Sequence, residues 1–95
     1  MAKSYTWETA EEINQNVAGR MRNLRRRRGI SQRKLSCISG VSLGSIKRFE
    51  ESGEISLKSL TKIAIALDSV EEIRQLFTKA VYLNIEEVAR QLPTT

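Results

Sequence analysis

The chain predicts an all-α fold: a compact bundle of five helices, with a short sixth helix near the C-terminal end. Three observations carry that expectation. Apolar residues recur at spacings of three and four, and no segment alternates as a half-buried strand does. Residues able to cap a helix stand ahead of each stripe, namely Thr9, Ser31, Ser42, Ser56, Ser69 and Asn84. Gly29, Gly40 and Gly53 fall where three of the stripes stop. Ninety-five residues suit one domain, which can close a core but not a core plus an enclosed substrate cavity.

Each element follows from local signals. Thr9-Ala10-Glu11-Glu12 has the form of a capping box, and Ile13, Val17, Met21 and Leu24 make the apolar face of helix 1. That helix is expected to reach about Arg28 and stop at Gly29. Helix 2 begins at Ser31 and ends before Gly40. Helix 3 runs from Ser42 to about Glu51 and closes near Gly53. Ser56 opens helix 4, which turns Leu57, Leu60, Ile63, Ala64 and Leu67 inward. Ser69-Val70-Glu71-Glu72 is a second capping box, for a helix 5 with Ile73, Leu76 and Phe77 inward. Asn84-Ile85-Glu86-Glu87 opens the last helix, with Val88 and Leu92 before Pro93. Residues 1–8 form an N-terminal extension, whose Tyr5 and Trp7 are placed to dock on the core. Residues 9–80 form the domain, and 81–95 a C-terminal segment suited to dimerisation or partner contact.

Helices 2 and 3 carry the functional signal. From Gln32 to Glu51 the chain has the pattern of a helix-turn-helix. Leu35, Val41, Ile46 and Phe49 fall where the two helices bury apolar side chains, and Ser36 is small where they approach. Gly40 supplies a turn position that penalises a Cβ, and Ser42 offers an N-cap oxygen to helix 3. Charge is distributed accordingly. The net charge is +5, yet no acid occurs from Ile13 to Phe49, a stretch holding ten of the sixteen cations. All eleven acids lie outside it. A basic half that coincides with a helix-turn-helix is what a polyanion-binding face requires.

Other classes lack their residues. No apolar run approaches the ~18 residues of a membrane span, and no signal peptide is evident, so a cytoplasmic protein without membrane contact is expected. The chain has no histidine and one cysteine, Cys37, which reads as an ordinary helix residue. No metal or other cofactor is called for, and no catalytic constellation or phosphate-cradling glycine loop points to an enzyme. The acid pairs Glu11/Glu12, Glu71/Glu72 and Glu86/Glu87 sit in helical first turns, where the helix dipole favours them. Tyr5, Trp7, Phe49, Phe77 and Tyr82 make no stacking platform for RNA.

Leu24 to about Phe77 resembles the lambda-repressor/Cro-like (XRE) helix-turn-helix family. The resemblance rests on Arg-Arg-Gly-Ile-Ser-Gln-x-x-Leu-Ser at 27–36, Gly-Val-Ser-x-x-Ser-Ile-x-x-Phe-Glu at 40–50 and Ser-Leu-x-x-Leu-x-Lys-Ile-Ala-x-Ala-Leu at 56–67. It implies a bundle of about five helices and a regulator that binds operator DNA, often as a symmetric dimer. Most members close helix 3 with Glu-x-Gly and open helix 4 with proline. Here the loop reads Glu50-Glu51-Ser52-Gly53-Glu54-Ile55-Ser56, which leaves the start of helix 4 unassigned by resemblance.

Helix 3 is expected in the major groove of duplex DNA. With Ile46 and Phe49 inward, Leu43, Gly44, Lys47 and Arg48 remain for base contacts. Arg48 either matches guanine O6 and N7 or clamps a phosphate, Lys47 reaches a base or a phosphate, and Leu43 suits a thymine methyl. Gly44 costs about 1 kcal/mol in a helix relative to alanine, for close approach to DNA or for packing. The resemblance makes Gln32 a phosphate contact and pairs Arg25 with Glu50 as a structural ion pair. Ser42, Ser45, Arg33 and Arg22 complete the expected phosphate set. The reading that results is a repressor acting as a homodimer on its own or a neighbouring promoter, its acidic, amphipathic C-terminal region either dimerising or packing onto Trp7 or Tyr5 of the same chain. The alternative is an antitoxin-type subunit that binds a toxin protein such as a HipA-like kinase. Segment 42–50 resembles that branch.

Overall fold

The computed structural model describes residues 7–79. These hold α1 (Ala10–Arg27), α2 (Gln32–Ser39), α3 (Leu43–Ser52), α4 (Leu57–Ala66) and α5 (Val70–Arg74), with no strand among them. Tyr5, the expected sixth helix and the C-terminal segment lie outside the described residues.

The caps act as their residue types require. Thr9 and Glu12 form a full capping box, with Glu12 N–H donating to Thr9 Oγ1 at 3.1 Å and Thr9 N–H to Glu12 Oε1 at 2.9 Å. Ser31, Ser42 and Ser56 each accept from the amide three residues on. Ser56 therefore starts α4 without the family's proline. Ser36, between the two helices of the motif, donates to the Val41 carbonyl at 2.7 Å.

Burial follows the expected stripes over most of their length. Leu35, Ile46, Phe49, Ile63 and Leu67 are fully buried, joined by Ala18, Met21 and Val41. Each large side chain among them contributes roughly 1.5–3 kcal/mol of transfer free energy. α3 packs across α1, α2 packs on α3 and α4, and α5 touches α4. Thus α3 is held from behind by α1 while its other side stays open.

Gly53 sets how closely α1 and α3 approach. It ends α3 at φ +80, and a Cβ built on it would lie 2.8 Å from Asn14 C and from Gln15 N. Backbone cannot yield as a side-chain tip can, so glycine is required by conformation and by space at once. Gly40 has φ +75 but nothing within 4 Å of an added Cβ, so only its conformation is restrictive.

The structure corrects the expectation at the edges of the bundle. The capping box at Ser69 does not form. Ser69 takes φ −126 and ψ 21 and makes no side-chain cap. Its hydroxyl donates to the Leu67 carbonyl and its N–H to the Ala64 carbonyl, both in the turn that ends α4. α5 consequently holds five residues. Leu76 and Phe77 are not inward. Phe77, at φ 61, is fully exposed, because a left-handed backbone ends the helical path that would have carried its ring to the core. Leu57 and Ile13 are exposed rather than buried, each near the N-terminal end of its helix, and Trp7 is 97% exposed rather than docked.

Gly53→Ala is expected to cost more than the ~1–2 kcal/mol of left-handed strain alone, and Gly40→Ala to cost about that strain. Thermal or urea melts of the two variants check this. Equal losses would remove the role assigned to Asn14 and Gln15.

Candidate nucleic-acid interface

Arg25 and Glu50 form a bidentate ion pair, with side chains only 8% and 4% exposed. Arg25 Nε donates to Glu50 Oε2 at 2.7 Å, and Nη2 to Oε1 at 2.9 Å. Nη1 donates to the Ile30 carbonyl at 2.8 Å. Gln32 Nε2 donates to Glu50 Oε1 at 3.0 Å. One carboxylate thus ties α3 to α1 and to the first residue of α2, while the arginine also holds the connection between α1 and α2. A buried pair offsets its desolvation only with such geometry and additional hydrogen bonds.

Burial alone would raise the Glu50 carboxyl. Hydrogen bonds from Arg25 and Gln32, with the charges of Arg25 and Arg22, more than offset this and hold it below its ordinary value of 4.5. Arg22 is exposed on α1 yet close enough to act on that carboxyl. Arg22, Arg25, Arg26, Ser31, Gln32 and Glu50 surround one polar concavity, with the exposed Glu51 at its side.

On α3, Ser42 and Ser45 are linked, since Ser42 Oγ donates to Ser45 Oγ at 2.8 Å and accepts from Ser45 N–H at 3.1 Å. Both hydroxyls are therefore engaged at the helix N-terminus. Gly44, Lys47 and Arg48 are exposed, and Leu43 is half-buried. An added Cβ at Gly44 would meet nothing within 4 Å, which removes packing as the reason for glycine there. Arg33 is exposed on α2, and Cys37 is exposed too.

The structure brings Arg22 and Gln32 into one cluster with the ion pair. Sequence reasoning missed that Gln32 bonds to Glu50 and that the Ile30 carbonyl receives Arg25. The first joins α2 to α3 and the second joins α1 to the loop that follows it, and no spacing signals either. Gln32 keeps its second amide hydrogen and its carbonyl oxygen for another partner.

A helix-turn-helix whose second helix is anchored behind and open in front, beside a concavity rich in arginine, defines a DNA-binding domain. A family model described as Helix-turn-helix matches residues 21–73. The chain belongs to this helix-turn-helix family, of lambda-repressor-like (XRE) type, a family of DNA-binding transcriptional regulators. The comparison with curated proteins returned no match. No helix among the described residues is long and apolar enough to cross a membrane.

Arg25→Ala is expected to cost about 3–5 kcal/mol, because it strands a buried carboxylate. With Glu50→Ala and the double variant, thermal melts give the coupling between the two residues. Additive losses would show that they act independently.

The depressed Glu50 carboxyl also fixes a pH dependence. Its stabilisation is complete above the ordinary carboxylate value of 4.5 and is lost as pH falls through the lower folded value. Glu50→Gln is expected to flatten the loss of stability below that value, measured by urea unfolding at stepped pH. An unchanged acid profile would show that this carboxylate does not contribute.

Proposed function

We propose that this protein is a transcriptional repressor that binds its operator as a homodimer, with α3 in the major groove. The observation that carries the reading is the open face of α3, where Gly44, Lys47 and Arg48 are exposed while Ile46 and Phe49 are buried behind them. Lys47 and Arg48 are the groups with reach and charge for base edges, and Leu43 supplies an apolar contact. Gln32, Arg33, Arg22, Ser42 and Ser45 take phosphates, the serines while remaining bonded to each other. Arg25 and Glu50 hold the recognition helix and do not contact DNA. A single domain of this kind reads few base pairs, so two half-sites about one helical turn apart supply the specificity a repressor needs. Segment 42–50 supports a second reading, an antitoxin-type subunit that also binds a toxin protein. A HipA-like kinase gene beside this one, with its product co-purifying, would decide for it.

Arg48→Ala is expected to cost about 1–3 kcal/mol in operator binding and to relax preference at one base position, as measured by binding-site selection on both proteins. Uniformly weaker binding with unchanged preference would place Arg48 on a phosphate instead. Gly44→Ala separates fold from function. It is expected to stabilise the free protein by up to about 1 kcal/mol, yet weaken operator binding, because the methyl intrudes where backbone approaches DNA. Undiminished binding would remove that approach. Sedimentation at tens of micromolar tests the dimer, and a monomer there would overturn it.

A further inference from the structure

α1 carries five arginines, and the helix sends them in different directions. Successive residues turn by about 100°. Arg22 and Arg26, four apart, therefore stand within about 40° of each other, and Arg20 and Arg27 stand about 140–160° from Arg22. The structure agrees, since Arg22 and Arg26 line the polar concavity beside Glu50 and Arg20 and Arg27 do not. Arg25 is taken up by Glu50 and the Ile30 carbonyl. Arg22 and Arg26 are exposed, and among the described residues neither guanidinium has a hydrogen-bond or ion-pair partner. Like charges four apart on a helix repel, and an anion between them removes the repulsion. Across the concavity, Gln32 has a second amide hydrogen. The Ser31 hydroxyl accepts from Lys34 N–H and keeps its own hydrogen to donate. Glu51 at the side subtracts one charge, and Glu50 is already matched by Arg25, so the two free guanidiniums leave the concavity positive.

The geometry points to one DNA phosphate held jointly by Arg22 and Arg26, with Gln32 and Ser31 donating from the opposite wall. The ligand is a phosphodiester of one duplex strand. Arg26 thereby joins the backbone contacts, and Arg20 and Arg27 are left out of them. The inference rests on the reading of this face as a DNA-binding surface and deepens it, by giving two arginines a single shared ligand. It also links that phosphate to α3. Gln32 holds the phosphate with one amide hydrogen and Glu50 with the other, so one side chain connects the strand to the anchored carboxylate of the recognition helix.

The salt dependence of binding counts the phosphates a protein neutralises, each adding about 0.9 to the slope of log K against log salt. The full chain is titrated onto a fluorescent duplex of random sequence between about 50 and 200 mM salt. Arg22→Ala with Arg26→Ala is expected to lower the slope by about one and to weaken binding roughly tenfold at about 0.1 M salt. Arg20→Ala with Arg27→Ala, the same loss of charge, is expected to leave both unchanged. A fall of about two would mean separate phosphates, and a fall equal to the control's would mean none. Either result would overturn the proposal. Absence of binding by the unsubstituted chain would overturn the DNA reading with it, so the two failures are distinct. Arg22→Lys with Arg26→Lys covers the case in which the alanine variant does not fold. It keeps both charges, so the slope is expected to hold while affinity falls roughly threefold, because an ammonium lacks the fork that lets two side chains share one phosphate. Undiminished affinity would overturn the shared clamp.

Discussion

The Glu50 carboxylate is the constraint on which the DNA-binding face depends. The helix-turn-helix joins α2 and α3 by a short turn, but that turn does not fix the pair against the remainder of the domain. Arg25 does so from α1, gripping both oxygens of Glu50 and the Ile30 carbonyl. Gln32 closes the arrangement from α2. Hydrophobic contacts among Leu35, Ile46 and Phe49 are non-directional and tolerate small rotations of a helix. A bidentate guanidinium–carboxylate contact does not, because both bonds weaken together when the planes turn. The apolar core therefore supplies most of the stabilisation, and the ion pair supplies the angle at which α3 is presented.

Two glycines, one within α3 and one at its C-terminal cap, show how differently one residue type is used. Gly53 is fixed by the protein itself, through a left-handed backbone pressed against Asn14 and Gln15. Gly44 has no such reason within the chain, as open space surrounds the position of its missing Cβ. A glycine within a helix lowers its stability, and here no packing contact accounts for it. Its place between the Ser42 cap and Lys47 lies on the exposed face of α3.

What could be read from the sequence divides along physical lines. Capping by Thr9, Ser31, Ser42 and Ser56 is local chemistry, and the stripe of Leu35, Val41, Ile46 and Phe49 is periodicity, so helices α1 to α4 and the core between them were legible. The edge at α5 was not. Ser69 has the residues of a capping box, but the turn after α4 claims its amide and its hydroxyl first. Periodicity likewise places Leu76 and Phe77 inward because it assumes an unbroken helix, whereas α5 ends at Arg74 and Phe77 takes a left-handed backbone. At the candidate site, outward placement of Lys47 and Arg48 followed from the inward placement of Ile46 and Phe49. The bond from Gln32 to Glu50 spans eighteen residues. No local signal encodes a contact of that separation.

The placement of the acids completes the electrostatic argument. Glu50 is the first acid after Glu12, and it stands two residues beyond Arg48 on the helix assigned to the major groove. An unpaired carboxylate there would repel phosphates and weaken the field of its neighbours. Both of its oxygens are engaged by Arg25 and Gln32, and its side chain is 4% exposed, so the charge is compensated inside the protein. Glu51 and Glu54 are exposed, but they lie at and beyond the C-terminal end of α3. The N-terminal turns of α3 are thus free of acids, carry Lys47 and Arg48, and add the positive end of the helix dipole. Along one ten-residue helix, positive potential is concentrated toward the N-terminal end, and the one acid paired with α1 is neutralised from behind.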